Sequence, residues 1–250
     1  IDRGQQVPLG AHPYELSSGK AFHNEDWLDY NQVQAKVWDR FNMVSIAVLS
    51  DRQRVPAKPI FYAEGTYENQ PWAGITGGPL HIRHQTWVSL LCGATAVDYG
   101  EHRLKTGKLD GQPVDHYLEM PGAQQAALAV AFLRTLKWWA MEPRRECVMV
   151  DGAVPRLEEL KARTSTTYCL AGDDGGRVIY IMSGLEEKSL MVTELGSSER
   201  FAKWLDPRTG DSFNVQNDPV IPDTQGQWQI PKRPEPSNED WVLWLEPNNR

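Results

Sequence analysis

Residues 59–63 (PIFYA) form an apolar run without alternation that stops at Glu64-Gly65. An unbroken run of that length fits a strand covered on both faces, which is the situation of a strand in a parallel sheet. A parallel neighbour is reached only through a crossover of a dozen or more residues, usually helical. Helical patterns are therefore expected on both sides, and both are present. Residues 36–52 contain no Pro or Gly and read as a helix that takes in the apolar stretch 41–49 (FNMVSIAVL). Residues 80–92 form a second helical pattern, with Trp87, Leu90 and Leu91 available for an inner face. Apolar segments at 7–12, 27–34 and 94–99 complete a set of four strands spaced by about the 30 residues of a βαβ unit. After a polar loop at 100–120, residues 121–141 open with Pro-Gly and run Ala-rich, with apolar residues recurring at three and four, as in a helix. That order is α/β.

Beyond Pro155 the pattern changes to short segments rich in β-branched and aromatic residues, drawn as strands at 178–182, 190–193, 201–205, 227–230 and 241–245. Turn signals separate them at 172–176 (GDDGG) and 206–210 (DPRTG). The reading is two domains, α/β over 1–155 and an all-β sandwich over 156–250, with the boundary within 154–163.

Composition narrows the function. The net charge is -7 and the basic residues are scattered rather than gathered into a stripe, which argues against nucleic acid and suits a neutral substrate. No apolar run approaches the roughly 18 residues of a membrane span. Cys92, Cys147 and Cys169 follow no C-x-x-C spacing, so neither a zinc site nor a disulfide framework is signalled. Phosphate-loop, dinucleotide, serine-hydrolase and zincin motifs do not occur, and no metal or cofactor is expected. Carboxylate chemistry remains.

In parallel α/β folds, ligands and catalytic groups gather where the strands end, because the βα loops share one rim there. The polar residues in those positions are His12, Gln34, Glu64 with Tyr67 and Glu68, and Asp98 with Tyr99 and Glu101. They are expected to face one pocket. Glu64 is the first candidate, since a carboxylate ending a buried strand must be hydrogen-bonded, paired or in use as a catalyst; the bland alternative is an ion pair with a cation such as Arg83. His81 and His84, spaced i, i+3, are too few to hold a metal and read as local packing.

The run 58–68 (KPIFYAEGTYE), with Ile82-Arg83, residues 90–94 (LLCGA) and Tyr99-Gly100, resembles the apiosidase-like glycoside hydrolase family, whose catalytic domain is a (β/α)8 barrel. Residues 11–13 and 27–34 are similar to the family's two preceding strands, and 122–125 with Trp138-Trp139 to its last helix. The tail, with 204–210 (WLDPRTG) and 241–246 (WVLWLE), resembles the β-sandwich that usually follows, called a collagen-binding domain.

The resemblance implies the second half of a TIM-type barrel followed by the sandwich, a carbohydrate substrate, and a secreted or periplasmic hydrolase of plant or microbial polysaccharide side chains. It makes Glu64 the nucleophile of a retaining mechanism, with His12, Gln34, Tyr67, Glu68, Asp98 and Tyr99 binding substrate. It also puts the acid/base carboxylate on an earlier strand, outside this sequence, with an in-chain acid such as Asp98 or Glu101 as the other option. Where the family commonly continues Ser-Gly-His, this chain has Ala35-Lys36-Val37, and Asp98 replaces a small or hydroxyl residue. Four βα units cannot close an eight-stranded barrel, so a preceding half-barrel or a second copy is expected to cover the open edge. The start at Ile1, without a leader, fits a removed signal peptide or a missing N-terminal region. A non-catalytic carbohydrate-binding module or an inactive fragment is the alternative.

Overall fold

The computed structural model describes residues 7–12, 16–36, 43–156 and 165–246. The first part runs α1 (Gly19–Phe22), β1 (Asn31–Gln34), α2 (Met43–Arg52), β2 (Ile60–Glu64), a hairpin of β3 (Pro71–Trp72) and β4 (Ile75–Thr76), α3 (Pro79–Leu91), β5 (Ala96–Val97), α4 (His102–Thr106), α5 (Val114–Leu118) and α6 (Pro121–Arg134). β1, β2 and β5 form one parallel sheet in that order, with β2 central. The helical pattern expected over 36–52 is observed from Met43; residues 37–42 lie outside the described residues.

Four expectations need correction. Residues 7–12 are not a strand: Pro8 lacks a ladder donor, and the segment instead hooks onto the chain before β1, where Leu9 donates to Asp29 Oδ2 (2.8 Å) and accepts from the Asp29 amide (2.9 Å). Residues 27–30 are not strand either, leaving only Asn31–Gln34. The helix from Pro121 ends at Arg134, where the Thr135 hydroxyl bonds back to the Phe132 carbonyl at 2.7 Å and competes with the helical pattern. In the fourth segment only Ala96–Val97 is regular strand, though the amides of Thr95 and Asp98 bond to the Ile60 and Tyr62 carbonyls and carry the pairing to the rim.

The edge of β1 is not bare. Residues 16–18 run antiparallel along it, with Ser18 N to Gln32 O at 2.9 Å and Gln34 N to Leu16 O at 3.0 Å. The Ser17 hydroxyl is tied to buried Asp51 of α2.

The second part is β6 (Met141–Pro143), β7 (Val148–Val150), β8 (Thr167–Gly172), β9 (Arg177–Ile181), β10 (Leu190–Val192), β11 (Ala202–Leu205), β12 (Ser212–Asn214), β13 (Trp228–Gln229) and β14 (Trp241–Leu245). A six-stranded antiparallel sheet has the order β12-β11-β14-β9-β8-β6, and a three-stranded one the order β13-β10-β7. Alternate residues explain why β8 and β9 are buried throughout. Cys169, Ala171, Ile179, Ile181 and Leu243 join one apolar cluster with Val148 and Val192 of the smaller sheet. Tyr168, Leu170, Val178, Tyr180 and Val242 face the other way and join the core of the first part.

α3 lies between the parallel sheet and the six-stranded sheet, which accounts for its burial on nearly every side. Trp87 stacks on Tyr180 with ring centroids 6.1 Å apart and planes at 6°. The polar residues on so buried a helix must find partners. Arg83 Nε donates to Asp240 Oδ2 at 2.7 Å, Nη2 pairs with Asp240 Oδ1, and Nη1 donates to Gln125 at 2.7 Å. The Tyr180 hydroxyl also donates to Asp240 at 2.8 Å. Arg83 thus belongs to Asp240 and not to Glu64. His84 is buried against the rings of Tyr168 and Tyr180, and His81 Nδ1 accepts from the Gly78 amide at the helix start.

Candidate active site

Glu64 is the last residue of β2, and the turn that follows is clamped from α3. The Gln85 carbonyl oxygen accepts from the Thr66 amide (2.8 Å), and its amide nitrogen donates to the Thr66 carbonyl (3.1 Å). Tyr62 donates to the Ala35 carbonyl at 2.6 Å, fixing the end of β1 beside the end of β2. Gly65 has no room for a side chain, since a Cβ there would lie 2.4 Å from the Tyr62 hydroxyl. The strand end is therefore rigid before any ligand arrives.

Three cationic or potentially cationic groups converge on the Glu64 carboxylate, whose side chain is 11% exposed. His12 Nε2 is 2.9 Å from Oε2, Lys36 Nζ is 3.2 Å from Oε1, and Lys105 Nζ is 3.7 Å from Oε1. Burial is the largest single influence and works to raise the Glu64 pKa; the hydrogen bond and charge of Lys36, the charge of Lys105 and the hydrogen bond of His12 together outweigh it and leave it lowered. Such a group is an ionised acceptor at neutral pH rather than a proton donor.

Tyr67 completes the cluster. Lys36 and Lys105 sit 5.5 and 4.3 Å from its ring centroid. Its hydroxyl is pushed up to about 12, first by burial, then by the charges of Glu64 and Asp98 and a hydrogen bond to Glu64. Gly100 makes room for the ring, because a Cβ there would lie 2.1 Å from it.

The other rim residues separate from this group. Glu68 is buried, its Oε1 accepts from the Gly122 amide at the start of α6 (3.0 Å), and its Oε2 accepts from the Tyr99 hydroxyl (2.8 Å). That is a helix-terminal anion, with its oxygens already engaged, and Tyr99 is its partner. Glu101 caps α4 through the amides of Arg103 (2.5 Å) and Leu104 (3.0 Å). Gln34 lies beside Ser17, Lys20 and Asp51 along a groove at the β1 edge. Asp98 stands at the end of β5, its pKa raised by burial against the opposing Tyr99 amide. The expected single pocket is thus divided: His12, Glu64 and Tyr67 meet, Asp98 is near enough to act on Tyr67 by charge, Glu68 and Tyr99 pair with each other, and Gln34, the register partner of Glu64 on β1, lines the edge groove with Lys36.

Lys36 and Lys105 were not singled out as site residues in the sequence. The usable signal is positional: β1 and β5 flank β2, Lys36 lies two residues past the end of β1, and Lys105 is on α4, the helix that follows β5. Among the described residues no group of three or more His, Cys, Asp or Glu could hold a metal ion. Among the same residues, no helix is long and apolar enough to cross a membrane.

Comparison with known proteins bears on this arrangement. A solved structure described as a glycoside hydrolase superposes with a TM-score of 0.71 at 17% identity, covering 94% of this chain and 56% of that one. A glycoside hydrolase family 5 structure from Bacteroides vulgatus gives 0.72 at 15% identity, covering 97% and 55%. These likenesses establish the fold as a partial (β/α)8-type one, and the chain spans about half the length of the structures it matches. No curated protein matches. The family described as "Apiosidase-like, catalytic domain" matches residues 1–140, more than half of the sequence, and the chain belongs to that glycoside hydrolase-like family.

Proposed function

We propose that the chain carries the nucleophile half of a retaining glycoside hydrolase, with Glu64 attacking the anomeric carbon and a β-sandwich formed by the two antiparallel sheets packed behind it. The observation that carries the reading is the environment of Glu64: an ionised carboxylate, fixed at the rim end of a central parallel strand, with cations and a tyrosine hydroxyl on it. A retaining enzyme needs such a carboxylate and a second, protonated carboxyl about 5–5.5 Å away. Glu68 and Glu101 are taken up by backbone amides, and the family resemblance puts the acid on barrel strands preceding this segment, which would also close the barrel. The substrate is a side-chain sugar of a plant or microbial polysaccharide, and a polymer too large to cross a membrane places the enzyme outside the cytoplasm.

A second reading keeps the acid in this chain. Asp98 is a rim carboxyl whose pKa is raised by burial, the direction that a general acid needs.

Dinitrophenyl 2-deoxy-2-fluoro glycosides separate these possibilities, because a dinitrophenolate leaves without acid assistance and the nucleophile can be tested when the acid is absent. With a panel of such sugars, at least one should add its glycosyl mass to the peptide holding Glu64, and Glu64→Gln should abolish the adduct. No adduct with any sugar, or an adduct elsewhere, overturns the role of Glu64. If Asp98 is the acid, Asp98→Asn slows substrates with poor leaving groups and spares dinitrophenyl ones.

A further inference from the structure

The net charge of -7 belongs to the chain as a whole, and at the rim around Glu64 the sign reverses. Lys36 and Lys105 both reach the same oxygen of Glu64, Oε1, at 3.2 and 3.7 Å, while His12 Nε2 stands 2.9 Å from the other. One carboxylate balances one ammonium group. Among the described residues neither lysine has a second carboxylate within salt-bridge distance, Asp98 included. The surplus charge is held in place, because both ammonium groups lie over the Tyr67 ring and that ring is seated against Gly100. Both also stay open to solvent, with 28% of the Lys36 side chain and 41% of the Lys105 side chain exposed, so a ligand can reach them.

This surplus works against a neutral substrate. The transition state of a retaining glycosidase resembles an oxocarbenium ion, and the carboxylate of Glu64 gives up its charge as its bond to the anomeric carbon forms and the aglycone leaves with the bonding pair. Two ammonium groups beside that centre oppose both changes: they favour the free carboxylate over the ester, and they repel the developing positive charge. A carboxylate on the sugar itself removes the conflict. In a uronic acid it is borne by the ring carbon that only the ring oxygen separates from the anomeric one. A ring placed with its anomeric carbon on Glu64 therefore offers its carboxylate to cations that converge on Glu64, and the flexible lysine stems let each ammonium group turn from one carboxylate to the other.

We infer that the sugar attacked at Glu64 is a uronic acid whose carboxylate is held by Lys36 and Lys105. The inference rests on the glycoside hydrolase reading for the reaction and names the substrate class of that same site. It replaces the neutral substrate that overall charge suggests.

Binding of sodium glucuronate and sodium galacturonate to the full chain, each beside its neutral counterpart glucose or galactose and followed by ligand-observed NMR, tests it. At least one uronate should bind about 10-fold more tightly than its neutral counterpart, and acetate should not displace it at equal concentration. Lys36→Met and Lys105→Met should each weaken that binding about 3- to 10-fold, the scale of a partly exposed charge pair. Lys36→Arg should keep most of it, and Lys188→Met, whose lysine pairs with Asp151 in the β-rich part, should bind as wild type does. Uronates bound no better than neutral sugars, acetate bound as well as a uronate, binding that survives both lysine-to-methionine substitutions, or no uronate binding by the wild type overturns the substrate class. Labelling of Glu64 by 2-fluoro glycosides is a separate measurement. Lysine-dependent uronate binding beside a Glu64 that no reagent labels would sink the catalytic reading, whereas Glu64 labelled faster by neutral than by uronosyl reagents would sink the uronic acid and leave the nucleophile.

Discussion

Replacing Asp240 by Asn preserves the shape of a side chain that is 1% exposed while removing its charge. Among the described residues, the Arg83 guanidinium, 4% exposed, would keep only Glu239 at 3.5 Å as a carboxylate partner. Wild-type Asp240 receives two bonds from Arg83 and one from Tyr180; Asn keeps one acceptor oxygen and turns a donor toward a donor. Breaking a buried pair by changing one partner costs about 3–5 kcal/mol, which for a chain of this size is a fall in Tm of about 6–20 °C. The double variant Arg83→Leu/Asp240→Leu should lose less than Asp240→Asn, because no charge is left stranded. The sign of the pH dependence follows from Asp240. Burial alone would raise its pKa, but the hydrogen bonds and charge of Arg83, with Tyr180, leave it lowered. Its contribution is therefore complete above the unfolded value of about 3.9 and is lost as pH falls below that. Differential scanning calorimetry at pH 7 and at a series of lower values is the assay. A drop under about 2 °C at pH 7, or a gap between wild type and Asp240→Asn that widens on acidification, refutes the reasoning.

Lys36→Met removes the strongest of the effects holding the Glu64 pKa down, so the acid limb of the pH profile for glycosylation by a dinitrophenyl glycoside should move to higher pH, with Lys36→Arg restoring it; an unmoved limb would mean that Lys36 does not act on Glu64. Gly122→Ala would put a methyl group 2.4 Å from Glu68 Oε2, displacing that carboxylate from the start of α6 at a cost of about 1–3 kcal/mol, read as a lower urea midpoint.

β2 was legible because its boundaries are written in residue types: apolar from Ile60, then Glu64-Gly65 at the rim. The inference that both of its faces are covered was too strong. Ile60 and Tyr62 are buried under the helices, but Phe61 is half-buried and lines an apolar groove with Tyr30 and Pro59, on the face where further barrel strands would pack. β14 was read to the residue. β8 was not drawn at all: TYCLAG mixes weak and strong strand formers, and it becomes strand by pairing along the edge of β9 that β14 leaves open, with its side chains shared between the two apolar clusters. In the site, Glu64 stood out as the acid that ends a buried strand, but the sequence did not show how Glu68 and Glu101 are engaged. What separates them is which backbone amides lie within reach, and that depends on where α4 and α6 begin in space. Lysines go unnoticed in a sequence because most are solvated, and only the convergence of the stretch after β1 and of α4 on one carboxylate sets Lys36 and Lys105 apart.

The stacking of Trp87 on Tyr180, with Arg83 locked to Asp240 beside it, has an evolutionary consequence. Appended sugar-binding modules are exchanged between enzymes as beads on a string, since a linker asks nothing of its neighbours. The β-rich tail here could not be traded in that way. Any replacement would have to bring its own aromatic for Trp87 and its own anion for Arg83, so a tail grafted without them would leave a buried guanidinium and an uncovered indole on α3.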